Sequence, residues 1–142
     1  MTQETPTPKI LSVNRIGTRE YTATNSKGAE LVIGDGEGQF TPGDLLKLAI
    51  LGCNVLSSDA RFARALGEDF ELTGTVSAEY LESEDRFTEF FVELAPVLGD
   101  MYPEDRDRLL RRASGAIDRY CTISHTVTKS APTSLTIDGE PQ

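Results

Sequence analysis

The stretch Thr41–Gly67, TPGDLLKLAILGCNVLSSDARFARALG, decides how the rest of the chain is read. Thr41 suits a helix N-cap and Pro42 the first helical position, where its missing N–H costs nothing. Asp44 completes a Thr-x-x-Asp capping box. Gly67 supplies the stop. These signals predict one long helix. From Leu45 to Leu56 nearly every side is apolar, so the pattern predicts a segment enclosed by protein all round. From Ser57 onward, with Asp59, Arg61 and Arg64, the helix turns amphipathic and must reach solvent. A buried central helix carrying Cys53 is the expectation.

The flanking patterns place this helix among strands. Residues 1–8 read as a flexible tail. Lys9–Ile16, Arg19–Thr24 and Glu30–Ile33 read as a three-strand meander with a turn at Asn25–Gly28. GDGEGQF, Gly34–Phe40, reads as a mobile linker: no Gly-Lys-Ser/Thr follows to make a phosphate loop, and the later calcium-ligand positions are missing. Beyond the helix, residues 70–80 alternate, with Phe70, Leu72, Val76, Ala78 and Tyr80 on one face, which predicts a half-buried strand. Leu81–Arg86 is then the turn and Phe87–Leu94 the returning strand. Pro103 opens a second helix, with Glu104 and Asp105 in its first turn. Leu109, Leu110, Ala113, Ile117, Tyr120 and Cys121 form its apolar face, and Ser134–Asp138 reads as a last strand. Strands cluster rather than alternate with helices, so the fold class is α+β with a largely antiparallel sheet, in a single domain over residues 9–142.

Composition narrows the function. The 142 residues carry a net charge of −9, against the clustered Lys and Arg that phosphate backbones or anionic membranes require. Neither nucleic acid nor membrane is an expected partner. Leu45–Leu56 is too short and too polar to span a bilayer, and the first residues hold no secretory pattern, so the expected location is cytoplasmic. In that compartment two cysteines are redox-active, metal-binding or simply buried in the core. Burial alone would raise the pKa of Cys53 and make it inert. Cys53, Cys121 and the one histidine, His125, do not close a tetrahedral metal site, so no metal or cofactor is expected. No nucleophile elbow supports a serine hydrolase. A redox couple needs a thiolate, a cation or donor to hold it, and a second thiol at a Cα separation of roughly 4.4–6.8 Å.

Three features in sequence, FTPGDLLKLAILGCN, the alternating hairpin, and YCTISHTVTKSAPTSLTI, resemble the OsmC/Ohr proteins, the osmotically inducible and organic-hydroperoxide-resistance family. The resemblance runs from about residue 10 to 138. It implies an OsmC-like fold, with largely antiparallel sheets around a buried central helix, in an intertwined homodimer. It further implies a thiol-dependent peroxidase of the oxidative stress response, in which Cys53 is oxidised by an organic hydroperoxide and Cys121 resolves it. Arg19 of GTREY would contact the reactive thiolate, and an external dithiol would reduce the resulting disulfide. This chain departs from the family at two places. Gly43 stands where a glutamate commonly pairs with the arginine, leaving Asp44 and Glu37 as possible arginine partners. Thr122 follows the second cysteine, where proline is common. The alternative is a non-enzymatic member of the fold that senses redox state or binds a small apolar ligand.

Overall fold

The computed structural model describes residues 10–142, and the tail expected over residues 1–8 lies outside them. The chain forms two compact units that divide between Leu46 and Lys47. Among the described residues no helix is long and apolar enough to cross a membrane.

The first unit is the meander. Strands β1 (Ser12–Gly17), β2 (Glu20–Thr24) and β3 (Glu30–Ile33) pair antiparallel in the order β1-β2-β3. Strand β2 begins one residue later than the pattern predicts, because Thr18 and Arg19 form the turn between the paired residues Gly17 and Glu20. The next turn is closed by Asn25, whose Oδ1 accepts the backbone N–H groups of Lys27 and Ala29 at 3.0 and 2.9 Å, the short polar side chain standing in for a backbone acceptor. Gly34–Phe40 is a tied loop rather than a free linker. The Phe40 N–H donates to the Val32 carbonyl and the Gly34 N–H to the Phe40 carbonyl, both at 3.0 Å. Gln39 Oε1 accepts the Gly36 N–H at 3.0 Å.

Helix α1 (Pro42–Leu66) matches the predicted span. Its capping box is reciprocal: Thr41 Oγ1 accepts the Asp44 N–H at 3.1 Å, and Asp44 Oδ2 accepts the Thr41 N–H at 3.0 Å. Two of the orphan donors at the helix start are thereby satisfied. The expected all-round enclosure is not met within one chain. Of Leu45–Leu56 only Ile50 is buried, while Leu46, Leu48 and Leu56 are 40, 41 and 78 % exposed. A helix apolar on every side needs cover on every side, and one hairpin with two further helices covers only part of it.

In the second unit, β4 (Leu72–Leu81) and β5 (Arg86–Pro96) form the predicted hairpin around a short 3₁₀ turn at Glu82–Glu84. Alternation holds until a bulge at Glu79/Tyr80 shifts the register. Beyond it Leu81 is half-buried and Tyr80, expected inward, is exposed; the extra residue on the opposite strand flips the faces. Gly74 is where β4 lies against α1. A Cβ there would sit 2.8 Å from Leu51 Cδ1 and 3.3 Å from Leu94 Cδ2.

Phe62, Leu109 and Ala113 make the core of this unit, with Leu66, Phe70, Leu98 and Met101 packed against it. Helix α2 (Pro103–Tyr120) supplies Leu109, Ala113 and Ala116 to its buried stripe. Tyr120, expected on that stripe, is 54 % exposed, and Ala116 lies inside instead. A third helix, α3 (Thr122–Lys129), was not expected from the sequence. The last strand is shorter than Ser134–Asp138: β6 (Thr136–Ile137) pairs with β7 (Glu140–Pro141) in a small hairpin.

Candidate functional site

Cys121 is the corner between two helices. It ends α2 and opens α3, with φ −80° and ψ 92°. Its N–H donates to the Ile117 carbonyl at 3.0 Å, and its own carbonyl accepts the His125 N–H at 3.1 Å. Extended backbone between two helical turns directs the side chain inward, and the residue is fully buried. The Cys-x-x-Ser spacing then does the rest. Ser124 lies one turn into α3, so its Oγ reaches 3.1 Å from Cys121 Sγ. From the facing helix α1, Asn54 Nδ2 donates to Cys121 Sγ at 3.3 Å and to Ser124 Oγ at 3.4 Å. Ser58, one turn further along α1 and fully buried, donates to the Asn54 carbonyl at 2.9 Å.

Cys53, the residue before Asn54, is half-buried on α1, and neither cysteine is in a disulfide. Burial pushes the pKa of Cys121 up, because a thiolate loses hydration there. Hydrogen bonds from the Ser124 side chain, from Cys53, from the Ser124 backbone and from Asn54 pull it down, and together they leave it below the usual 9.0. The donors that favour the thiolate in this unit are therefore neutral groups, and they gather on Cys121.

Beside this cluster opens a cavity of about 570 Å³. Asn54 and Ser124 line it on the thiol side, and Ile50, Phe87, Phe90 and Val127 give it apolar walls. Arg86, also on its edge, is ion-paired with Glu84. Lys47 Nζ lies 5.3 Å from the centre of the Phe87 ring, a cation–π contact between α1 and β5.

Arg19, Glu37 and Asp44, also expected in the site, belong to the first unit. Arg19 occupies the β1–β2 turn with φ 57°, the left-handed region that favours glycine, and its side chain is exposed. It lines a cavity of about 390 Å³ with Tyr21, Ile33, Asp35 and Thr41. Glu37 is exposed in the loop after β3. Asp44 holds the start of α1. His125 is exposed, with Nε2 2.7 Å from the Asp118 carbonyl oxygen. The sequence reading did not single out Asn54 or Ser124. The signal was present in Cys-x-x-Ser and in the polar residue directly after Cys53, but both take their meaning from the helix corner at Cys121.

No family model matches the sequence. The chain is 31 % identical over 129 residues to an uncharacterized protein of Mycobacterium tuberculosis, covering 89 % of this chain and 94 % of that protein. Among solved structures it resembles an OsmC-like protein of unknown function from Vibrio cholerae. The TM-score is 0.61 at 11 % identity, over 85 % of this chain and 94 % of that one. It also resembles the organic hydroperoxide resistance protein OhrB of Bacillus subtilis. There the TM-score is 0.53 at 18 % identity, over 87 % of this chain and 93 % of the other.

Proposed function

We propose, for a chain that belongs with its mycobacterial relatives to a family of OsmC-like fold, a thiol-dependent peroxidase that reduces organic hydroperoxides to alcohols. The observation that carries this reading is the unequal pair of thiols: Cys53 half-buried on α1 and Cys121 fully buried beside the next residue, Asn54, with donors gathered on the buried one. Exposure separates their roles. A peroxide arriving from solvent meets Cys53 before it can meet Cys121. The Cys53 thiolate attacks one peroxide oxygen, the O–O bond breaks, and the other oxygen leaves as alkoxide and takes a proton. Cys53 is oxidised to the sulfenic acid and the peroxide is reduced to the alcohol. Cys121, already favoured as thiolate by Ser124 and Asn54, attacks the Cys53 sulfur. The S–S bond forms, the S–O bond breaks, and hydroxide leaves as water once protonated. An external dithiol restores both thiols by exchange. The scheme uses no metal or cofactor.

Arg19 is assigned the positive charge that holds the Cys53 thiolate and orients the peroxide. Its support is local: an arginine kept where the backbone favours glycine is the kind of strain that persists at working positions. Asp44 and Glu37 are its proposed carboxylate partners in place of Gly43. The apolar walls of the cavity beside Asn54 favour bulky organic hydroperoxides over hydrogen peroxide. We further assign the protein a cytoplasmic location and a homodimeric state.

The test is turnover of an organic hydroperoxide by the reduced protein with a dithiol. The wild type consumes it. Cys53→Ser consumes none, and Cys121→Ser turns over slowly and traps a sulfenic acid that a dimedone probe labels. Equal consumption by Cys53→Ser and wild type would remove the assignment. The same cavity favours one second reading, a binder of small apolar ligands without turnover. That reading predicts hydroperoxide consumption no faster than free thiols give.

A further inference from the structure

At the far end of the same helix pair lies a second cleft, remote from the thiols. It has a volume of about 690 Å³ and is lined by Arg61 and Arg64 from α1 and Arg108 and Arg112 from α2. Its apolar floor is Ala65, Met101 and Leu109. Arg61 stands eight residues beyond Cys53 on α1, about 12 Å along the axis at the usual helical rise. The spacing explains how four guanidinium groups meet. Arg61 and Arg64 are three apart on one helix face, and Arg108 and Arg112 four apart on the other. Each helix therefore presents a pair of forks to the same space.

The charge is local and largely unanswered. The chain as a whole carries −9. Yet Asp105 is the one carboxylate in the cleft, and it is ion-paired with Arg108 at 3.4 Å. Among the described residues, Arg61, Arg64 and Arg112 form no ion pair. Like charges facing one another across a cleft repel, and a bound anion relieves that repulsion. Guanidinium forks match phosphate oxygens two at a time. A chain of two or three phosphates offers oxygens to forks on both walls at once. The apolar floor, in a volume within the usual range for ligand sites, leaves room for an attached uncharged ring.

We propose that this cleft binds a nucleoside di- or triphosphate, with the phosphates between the arginines of α1 and α2 and the nucleoside on Met101 and Leu109. The binding is independent of the thiol chemistry, because neither cysteine and neither hydrogen-bond partner of the Cys121 thiol lines the cleft. It is tested by calorimetric titration of the full chain at low salt with ADP, inorganic pyrophosphate and adenosine. ADP is expected to bind saturably, pyrophosphate more weakly, and adenosine not at the same concentrations. Arg61→Gln combined with Arg112→Gln should weaken ADP at least about tenfold, because one charged fork is lost from each wall. Both residues point to an open cleft, so thermal unfolding of the variant should match the wild type, and Arg61→Lys with Arg112→Lys should recover part of the affinity. Raised salt should weaken ADP and leave the floor contacts alone. No saturable heat with ADP or pyrophosphate would overturn the proposal, as would adenosine binding equal to ADP or unchanged affinity in the double Gln variant. A change of oligomeric state in that variant, without a loss of ADP affinity, would assign the arginines to a protein contact instead and also overturn it.

Discussion

Burial on its own would keep Cys121 protonated, since a thiolate stripped of water is costly. Donors from Ser124, Cys53 and Asn54 together reverse that preference. The thiolate absorbance of Cys121, followed in the reduced wild type and assigned by its loss in Cys121→Ser, should therefore titrate below 9.0, the ordinary value. Asn54→Ala with Ser124→Ala removes two donors and leaves the burial, so the midpoint should move up; an unmoved midpoint would show that these groups do not act on the sulfur. The sign for stability follows. A thiol whose folded pKa is depressed stabilises the fold above its unfolded value, and the contribution fades as pH falls through the folded one. Arg19 makes a separable case. At φ 57°, Arg19→Gly should leave stability unchanged or raise it by up to about 1 kcal/mol, while slowing hydroperoxide consumption. Slowed consumption with a lower melting temperature would mean that Arg19 matters only to the fold. The two thiols stood out in the sequence because they are its only cysteines, whereas Arg19 entered only through the family resemblance and its role is a proposal. Asn54 and Ser124 did not stand out, because a neutral donor takes on a role only when the fold sets a sulfur beside it.

At the scale of elements, the close approach of β4 to α1 depends on Gly74. Any side chain there meets Leu51 within a distance that real Cβ atoms do not adopt. Gly74→Val should destabilise the protein by about 1–3 kcal/mol, the usual cost of overpacking, and should displace the helix segment that carries Cys53. Chemical denaturation measures the first effect and the rate of Cys53 alkylation the second; wild-type values for both would mean that the hairpin and helix pack less closely than described. Helix α1 was legible end to end because cap, period and stop agree, and the hairpin because its alternation is strict as far as the bulge. Helix α3 was hidden. Thr122, Thr126, Val127 and Thr128 read as strand or loop formers. Thr126 and Thr128 instead bond back to carbonyls one turn earlier, at 2.8 and 2.9 Å, and the segment stays helical.

At the scale of the whole molecule, the all-round apolar character of Leu45–Leu56 was read correctly as a pattern, but a single chain does not enclose it. Leu48 and Leu56 on α1, Phe91 on β5 and, in the first unit, Val13 and Ile16 on β1 remain exposed. The proposed homodimer would cover apolar side chains of this kind. Light scattering should give the mass of two chains, and Leu56→Glu should shift it toward one; a wild type of one-chain mass would remove the dimer. The most direct test of the thiol pair is the intact mass of the reduced wild type under denaturing, non-reducing conditions, taken just after one equivalent of an organic hydroperoxide. The account predicts prompt loss of two hydrogens, with a peptide map linking Cys53 to Cys121 within one chain. An unchanged mass with both thiols still open to alkylation would contradict it.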